Sequence, residues 1–376
     1  MNNRPIILAL ADDIGSMQAI LPVIIELNND DSLSINVAAN KVSGNLLNAH
    51  RIEAEYFDRK KKEDSPSGWI ASLLERIKPD LVLSGTSPAK GPKPDTLEQL
   101  CVLECKKRQI GTVAVLDFWG MYKERFMVSS DRVSKDLLPD ILCVMDEHCR
   151  LDLIKLGVPS SQILVTQNPW MDHVVAAAKK PPPPSGHTKG IAGFCCLFVS
   201  QPLKEMKAYR RCDYDQHEIL DSIIEVLPEF TGKNHRILVW KHPGENAETW
   251  KKNKVIQRSD VEIRIIEERG APILAHVDMV ASSHSTVFYE ALYYGTACLS
   301  LRPYGTCNTS MYTDELGLSM LISGKKNLKN FLNDFDSTAS RRKLMQIKKQ
   351  MAIQKLFFSD GKATQRICDI VRQKLF

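Results

Sequence analysis

A hydroxyl-rich segment in the second half of the chain has the residue types of an anion-binding turn. Its polar members are Ser282, Ser283, His284, Ser285 and Thr286. They follow the apolar run 276–281 and precede a helical pattern, so we expect them where a strand ends and a helix begins. Unpaired backbone N–H groups and the positive end of the helix dipole gather there and favour a phosphate. Glu290 would then reach a ribose hydroxyl. An ordinary capped helix is the alternative.

A second polar segment, Lys241-His242-Pro243-Gly244-Glu245, closes another predicted strand. Pro243 biases His242 toward an extended conformation, which would hold the imidazole at the carboxyl end of that strand. A histidine and a lysine in this place can bind a phosphate or assist a leaving group, whereas a turn-capping histidine is the alternative. Both polar segments would face one pocket in a doubly wound sheet, because ligands bind there beyond the carboxyl ends of the strands.

Acidic residues follow two predicted strands of the first half. Asp12 and Asp13 come after the first strand and just before Gly15, and Asp117 ends a later strand. A carboxylate at this edge can take a proton from a reacting hydroxyl. We predict Asp13 as the general base, with Asp12 and Asp117 as further candidates. N-capping of the helix that begins near Gly15 is the alternative role for Asp12 and Asp13.

These residues must be positioned by alternating strands and helices, which the hydrophobic pattern predicts in both halves. The predicted strands cover residues 5–11, 34–39, 81–84, 111–116, 141–145, 194–199, 236–240, 261–266, 277–281 and 299–301. The main predicted helices cover residues 17–27, 69–77, 97–107, 147–156, 217–226 and 288–294, with a helical tail from Asn327. Nearly all-apolar strands alternating with helices indicate parallel sheets covered on both faces. We therefore predict an α/β fold of two similar domains that face a cleft.

A proline run marks the boundary between the two halves. Pro181–Pro184 cannot lie inside a helix or a central strand, so it indicates a surface linker. The predicted domains are residues 1–175, which would bind the acceptor, and 191–376, which would bind the donor. The linker covers 176–190, and the last helix is a candidate to pack back on the first domain.

Composition restricts the class of protein. The 376 residues include 43% hydrophobic and 25% charged residues, as in an ordinary globular enzyme. A dispersed net charge of +5 argues against nucleic acid as a partner but allows peripheral association with the inner-membrane surface. Ten cysteines without a paired CxxC support neither zinc nor a redox dithiol. We expect no metal, no cofactor and, since no signal peptide is present, a cytoplasmic location.

The two Rossmann-like halves, the strand-end His242-Pro243 and the later serine-rich turn resemble GT-B-fold glycosyltransferases, above all bacterial sialyltransferases and capsule-polysaccharide transferases. The resemblance implies a GT-B-like fold and a phosphate of a cytidine nucleotide sugar held by these two motifs. The segment 198–203, with Gln201, resembles the start of the donor domain. It also implies an acidic base near a glycine, for which Asp12-Asp13-Ile14-Gly15 is the nearest match. The expected donor-binding residues are Gly15, Gln201, Lys241, His242, Pro243, Ser282, Ser283, Ser285, Thr286 and Glu290.

The expected function is therefore that of a metal-independent glycosyltransferase in surface-polysaccharide or glycoconjugate synthesis. It would move a sugar from a nucleotide-activated donor, a CMP-sugar in preference to a UDP-sugar, to a glycan or small-molecule acceptor. Asp13, Asp12, His242 and Asp117 are its expected catalytic residues, and His242 with the 282–286 turn would stabilise the leaving phosphate.

Two other functions remain open. The segment 163–169 with Asp172, and Glu290 with Gly295 and Arg302-Pro303, are similar to UDP-N-acetylglucosamine 2-epimerases, which share this fold. A catalytically silent nucleotide-sugar-binding protein is the other alternative, because the fold does not by itself imply catalysis.

Overall fold

The computed structural model divides the chain into two compact units. Unit 1 comprises Met1–Val175 together with Met351–Phe376, and unit 2 comprises Ala176–Gln350. The structure describes residues 4–60, 65–127, 133–191, 193–203, 214–227, 235–242, 245, 248, 250, 261–304, 311–335, 339–340, 342–344, 346 and 359–376.

Unit 1 is built on a seven-stranded parallel sheet in the order β3-β2-β1-β4-β5-β6-β7. The strands are β1 Ile6–Ala11, β2 Ser34–Asn40, β3 Glu55–Phe57, β4 Leu81–Ser84, β5 Gly111–Val115, β6 Ile141–Val144 and β7 Ile163–Val165. The central strands are almost wholly buried, as expected when helices cover both faces of a parallel sheet. The hydrophobic pattern did not predict β3 and β7 as strands, because three residues are too few to show a period.

Helices cover both faces of this sheet. They are α1 Ile14–Asn28, α2 Gly44–Ala49, α3 Pro66–Ile77, α4 Leu97–Arg108, α5 Tyr122–Phe126, α6 Glu147–Lys155 and α7 Trp170–Lys179, and the C-terminal helix spans Ala363–Leu375. Apolar residues of α1 and of the C-terminal helix share one core, and α3 and α4 form the core on the opposite face. Gly15 was expected in a turn before the first helix, but it lies in the first turn of α1, because Asp13 caps that helix.

Unit 2 has a six-stranded parallel sheet in the order β10-β9-β8-β11-β12-β13. The strands are β8 Cys195–Val199, β9 Arg236–Trp240, β10 Glu262–Ile265, β11 Met279–Ser282, β12 Ala297–Arg302 and β13 Met320–Ser323. Its helices include α8 Gln216–Val226, Ala271–Leu274, Val287–Tyr293, Tyr312–Glu315 and Lys325–Asn333. The predicted fold class, α/β with two parallel-sheet domains of the GT-B type, is confirmed.

Strand order reverses next to the first strand of each sheet. In unit 1 the reversal lies between β1 and β4, and in unit 2 it lies between β8 and β11. In open α/β sheets the loops at the carboxyl ends of two such strands diverge and leave a crevice, where ligands bind. These two strand pairs therefore mark the edge of each unit at which functional side chains are expected.

The expected linker, residues 176–190, is helical at its start. Residues 176–179, expected in the linker, form the last turns of α7, and the proline run follows them without regular structure. None of the helices in the described ranges combines the length and the apolar character that a bilayer-spanning segment requires.

Candidate functional site

Two carboxylates approach one glycine at the carboxyl edge of unit 1. A methyl group built on Gly15 would lie 2.9 Å from Asp117 Oδ2 and 3.5 Å from Asp13 Oδ1. Any other residue at position 15 would therefore displace Asp117, since contacts below 3.0 Å are too short for a Cβ atom. Asp13 Oδ1 also accepts a hydrogen bond of 2.7 Å from Ser16 N, so the capping role coexists with the position at the edge.

Asp117 is paired with a buried arginine. Arg125 lies in the short helix α5, is 3% exposed, and donates from Nη1 to Asp117 Oδ1 at 2.6 Å. The same Nη1 donates to Thr86 Oγ1 at 2.8 Å and to the Thr86 carbonyl. Burial raises the pKa of the Asp117 carboxyl, Arg125 opposes this rise, and the charge of Asp13 adds to it. The net result is a carboxyl that holds a proton more readily than an ordinary aspartate.

Asp12 has a different environment from its neighbour. Its Oδ1 accepts from Asn40 Nδ2 at 2.7 Å and from Arg59 Nε at 3.3 Å. Its Oδ2 accepts from Arg59 Nη2 and from the backbone N–H of Leu97 at 3.2 Å. Four donors on one carboxylate fix the ends of β1, β2 and α4 relative to one another. Asp12 was among the predicted catalytic residues, but the contacts of its carboxylate hold the local structure together.

A fourth acid, Glu98, was missed by sequence reasoning. It lies in the first turn of α4, is 3% exposed, and its Oε1 accepts from Asp12 N at 2.9 Å and from Ser87 Oγ at 2.6 Å. Burial raises the pKa of the Glu98 carboxyl to about 7, with smaller contributions from the charges of Asp13 and Asp12. Its position within a predicted helix gave no signal that the side chain lies against the edge of the sheet.

A cavity of about 410 Å³ opens beside these acids. It lies beyond the carboxyl ends of β1, β2 and β4, within unit 1. Its lining residues include Asp13, Asn40, Lys41, Arg59, Lys60, Ser87, Lys90 and Asp95. Three lysines, an arginine and four aspartates line it, so the cavity is suited to a polar ligand that meets charges of both signs.

At the carboxyl edge of unit 2, the hydroxyl-rich turn follows β11 as predicted. Ser282 ends that strand, is fully buried, and donates 2.7 Å to the Val199 carbonyl at the end of β8. Ser283 Oγ lies 2.9 Å from His284 Nδ1, and Ser285 Oγ accepts from Val287 N at 3.2 Å. The Ser282 hydroxyl thus joins the two strands at the reversal, and Ser285 caps the chain locally.

The remaining members of this turn are less enclosed. Thr286 is exposed and precedes Val287–Tyr293 without a side-chain capping bond, and Glu290 is half-buried on that helix. Burial lowers the pKa of His284 to about 4, and the charge of Arg302 contributes. His284 is therefore an uncharged imidazole at neutral pH.

Hydrogen bonds of Glu245 fix the loop that follows β9. Glu245 is 5% exposed, accepts from Ser200 Oγ at 2.7 Å through Oε1, and accepts from His242 N at 2.6 Å through Oε2. Lys241 Nζ donates to the Glu245 carbonyl at 3.0 Å and to the His242 carbonyl at 3.3 Å. Glu245 therefore joins the ends of β8 and β9 and holds the backbone of His242. Pro243 lies outside the described residues.

Arg269, which lies outside the predicted motifs, adds to the positive charge of Lys241 around His242. Arg269 donates from Nη2 to the Lys241 carbonyl at 2.6 Å, and its guanidinium lies 5.1 Å from the centre of the Trp240 ring. Burial lowers the pKa of His242, and the positive charges of Arg269 and Lys241 lower it further. An anion bound here would counter these two cations and so favour the protonated imidazole.

The predicted residues fall into two sets. The structure brings Asp12, Asp13, Gly15 and Asp117 together in unit 1. It places Gln201, Lys241, His242, Ser282, Ser283, Ser285 and Thr286 at the carboxyl edge of unit 2, after β8, β9 and β11. The sequence reasoning missed four residues of these two edges: Glu98, Arg125, Glu245 and Arg269. Of these, only Glu245 belongs to a predicted motif, the segment 241–245.

Comparison with known proteins identifies the family. The family model described as UDP-N-acetylglucosamine 2-epimerase matches residues 120–372, which is more than half of the chain. The match contains all of unit 2 and begins after Asp117, so the acids of unit 1 precede it. No curated protein sequence matches the chain significantly.

Solved structures share the fold. S. aureus MnaA, solved with UDP, is 15% identical with a TM-score of 0.69 over 99% of this chain and 97% of that one. UDP-GlcNAc 2-epimerase from Neisseria meningitidis, bound to UDP-GlcNAc, is 16% identical with a TM-score of 0.64 over 98% and 99%. The glycotransferase of kitacinnamycin is 13% identical with a TM-score of 0.62 over 99% and 100%.

The family match overturns the expected activity. The prediction of a CMP-sugar glycosyltransferase was wrong, and the resemblance to sialyltransferases is not borne out, whereas the epimerase alternative agrees with the match. The error has a physical cause: epimerases and glycosyltransferases share this fold, and their strand-end loops occupy equivalent edges, so His242 and the 282–286 turn do not distinguish them. By the extent of its family match, this chain belongs to the UDP-N-acetylglucosamine 2-epimerase family.

Proposed function

We propose that this protein inverts the configuration at C2 of a UDP-N-acetylhexosamine. Inversion at C2 breaks the C2–H bond and forms a new one on the opposite face. The electron pair left by the departing proton forms a C1–C2 double bond as UDP leaves C1, and the return of a proton to C2 and of UDP to C1 then gives the epimer. Such a reaction needs acidic and basic groups close to the sugar. The paired carboxylates of Asp13 and Asp117 around Gly15 are the observation that carries the proposal, because they supply two proton-transfer groups at one strand edge.

The two carboxylates take different roles in this proposal. Asp117 is the acid, because burial raises its pKa and favours the protonated form. Asp13 is the base, and its hydrogen bond from Ser16 N orients the carboxylate without excluding it from a ligand. Arg125 holds Asp117 in place through the 2.6 Å hydrogen bond. Asp12 and Glu98 support these groups rather than contact the sugar.

The UDP part is assigned to the carboxyl edge of unit 2. We assign the diphosphate to His242 and Lys241, together with Thr286, the exposed member of the 282–286 turn. Glu290 is assigned to the ribose hydroxyls. Gln201, which lies in the loop after β8, is assigned to the same UDP-binding edge. The cations Arg269 and Lys241 beside His242 support this assignment, since they provide positive charge where a diphosphate would need it.

A conversion assay tests the proposal. Purified protein is incubated with UDP-GlcNAc, and proton NMR follows the anomeric signals of the substrate and its C2 epimer. We expect both epimers at equilibrium from either starting compound, and at least a 100-fold lower rate in Asp13→Asn. Retained binding of UDP-GlcNAc without any conversion would reject the enzyme and leave a silent nucleotide-sugar-binding protein. Loss of the sugar to water would instead identify a hydrolase.

A further inference from the structure

Glu98 is buried beneath the loops that follow β1 and β4. Its Oε1 accepts hydrogen bonds from Asp12 N at 2.9 Å, from Ser87 N at 3.3 Å and from Ser87 Oγ at 2.6 Å. These three bonds explain why one carboxylate oxygen is buried there. They leave the second oxygen, Oε2, unexplained.

Ser87 does not carry the effect of Glu98 to a ligand. Its hydroxyl has three neighbours: Glu98 Oε1, the Asp13 N–H at 3.1 Å and Ser16 Oγ at 3.0 Å. A hydroxyl has one hydrogen and two lone pairs, so these neighbours use its whole capacity. Oε2 is therefore the oxygen of Glu98 that the described hydrogen bonds leave unexplained.

Arg125 carries a second buried polar atom of this kind. Neither Glu98 Oε2 nor Arg125 Nε has a hydrogen-bond partner among the described residues, and both side chains are 3% exposed. Both residues line one small cavity beneath Thr86 and Ser87, with a volume of about 10 Å³. This volume corresponds to about one water molecule. The two atoms are complementary, since Oε2 accepts and Nε donates.

Arg125 connects this cavity to the reacting carboxylates. Its Nη1 donates to Asp117 Oδ1 at 2.6 Å, and Arg125 also lines the cavity that Glu98 lines. We propose that Glu98 is a positioning residue for Asp117, coupled to it by a buried water that bridges Glu98 Oε2 and Arg125 Nε. The inference rests on the proposed function in so far as Asp117 is the acid of the epimerisation.

The charges around Glu98 determine when this coupling acts. The groups that face it are Asp12 and Asp13 from the loop after β1, Arg125 from α5, Cys101 one turn along α4, and Arg59 through its ion pair with Asp12. Burial, Asp13 and Asp12 raise the pKa of Glu98 to about 7. As pH rises through this value, Glu98 gains a negative charge on the far side of Arg125. That charge competes for Arg125 and makes Asp117 hold its proton more strongly.

Carboxyl titration by NMR tests the coupling without any assay of activity. Protein labelled with ¹³C at the Asp and Glu carboxyl carbons is titrated from pH 4 to 9. Spectra of Glu98→Gln and Asp117→Asn identify the two signals. Glutamine keeps an oxygen that accepts from Asp12 N but removes the charge. We expect the titration midpoint of Asp117 to fall by roughly 0.5 pH unit or more in Glu98→Gln. The matched control Glu104→Gln, on the outer part of α4, should leave that midpoint unchanged.

Each outcome supports or overturns the inference. An Asp117 midpoint that is equal in wild type and Glu98→Gln, or a Glu98 signal that titrates below pH 5, would overturn it. If Glu98→Gln fails to fold, the wild-type Asp117 curve decides, because coupling requires a second inflection near the Glu98 midpoint. Once conversion of UDP-GlcNAc is observed, its pH–rate profile gives a second test. In Glu98→Gln the acidic limb of that profile should shift in the same direction as the titration midpoint of Asp117. If wild type converts no UDP-GlcNAc, the proposed function fails, while the NMR result still decides whether Glu98 and Asp117 are coupled.

Discussion

The carboxyl edges of the two sheets have the same topology and opposite chemistry. Each edge lies where strand order reverses, between β1 and β4 in unit 1 and between β8 and β11 in unit 2. Unit 1 carries acids there, and burial raises the pKa of Asp117 and Glu98. Unit 2 carries hydroxyls and imidazoles, and burial lowers the pKa of His242 and His284.

One physical effect explains both directions. Burial disfavours the charged form of any group, so it raises the pKa of a carboxyl and lowers that of an imidazole. For Glu98 the result lies close to neutral pH, whereas His284 is moved well away from it. Unit 1 is therefore suited to proton transfer, and unit 2 to binding through hydrogen bonds and fixed cations. The shared fold places the loops, and the residues in the loops determine their role.

The strongest test of this contrast removes the acid of unit 1. Asp117→Asn keeps the size of the side chain and an oxygen that accepts from Arg125, but it cannot supply a proton. We expect kcat for C2 epimerisation of UDP-GlcNAc to fall by about 100- to 10,000-fold, with unchanged affinity for UDP. Kinetics by NMR and calorimetry measure the two quantities. Asp152→Asn, on the outer side of α6, is the matched control.

The stability of the two units should depend on pH in opposite directions. The pKa of Glu98 is raised from 4.5 to about 7, so the stability it contributes is complete below pH 4.5 and is lost as pH rises toward 7. The pKa of His284 is lowered from 6.5 to about 4, so its contribution is complete above pH 6.5 and is lost as pH falls toward 4. Each effect is of the order of 3 kcal/mol.

Native-state hydrogen exchange measures these effects separately for each unit. Peptides from β1 report unit 1, and peptides from β11 report unit 2. Glu98→Gln should remove the loss of protection in β1 between pH 4.5 and 7, and His284→Asn should remove the loss in β11 between pH 6.5 and 4. A variant whose pH dependence equals that of wild type would contradict the assignment for its unit.

A smaller effect is expected from the histidine of unit 2. His242→Ala should weaken UDP binding by about 1.5–3 kcal/mol, the range for a hydrogen bond to a charged group. Isothermal calorimetry gives the change, and His148→Ala on the surface of unit 1 is the control. Equal UDP affinities of His242→Ala and wild type would show that His242 does not bind the phosphate. An unaltered titration midpoint of Asp117 in His242→Ala would show that this substitution leaves the acids of unit 1 undisturbed.

The smallest effects separate two neighbouring hydroxyls. Ser285 Oγ accepts from Val287 N, so Ser285→Ala should lower the free energy of unfolding of unit 2 by about 0.5–1.5 kcal/mol. Thr286 is exposed and makes no side-chain capping bond, so Thr286→Ala should change it by less than about 0.5 kcal/mol. Urea unfolding, monitored by hydrogen exchange in peptides from β11, compares the free energies of unfolding of the two variants. An equal cost for both would show that Ser285 is not the capping residue.

Long apolar strands were the part of the fold that the sequence pattern predicted well. β1, β4 and β9 were located to within a residue, because each is a mostly apolar run with turn or polar residues on both sides. The half-buried strands β3 and β13 were not predicted. The strand order and its two reversals follow from contacts distant in sequence, so no local pattern contains them.

The candidate site was predictable only where a side chain follows a strand directly. Asp13, Asp117 and the 282–286 turn have this position, and their place at the edge follows from the topology. Glu98 and Arg125 belong to helices, and each reaches the edge through tertiary packing of α4 and α5. Their pairing across 27 residues depends on burial, which a single sequence does not encode locally. The activity was mistaken because the recognised motifs belong to the fold rather than to one reaction.

Solvent deuterium tests the central claim, proton transfer at C2 by the acids of unit 1, most directly. Wild type, Asp13→Asn and Asp117→Asn are incubated with UDP-GlcNAc in D₂O, and NMR follows the hydrogen at C2. We predict deuterium at C2 in both epimers with wild type, and incorporation reduced at least 100-fold in each variant, with UDP binding retained. Epimers that keep their original hydrogen at C2, or full incorporation in both variants, would contradict this account.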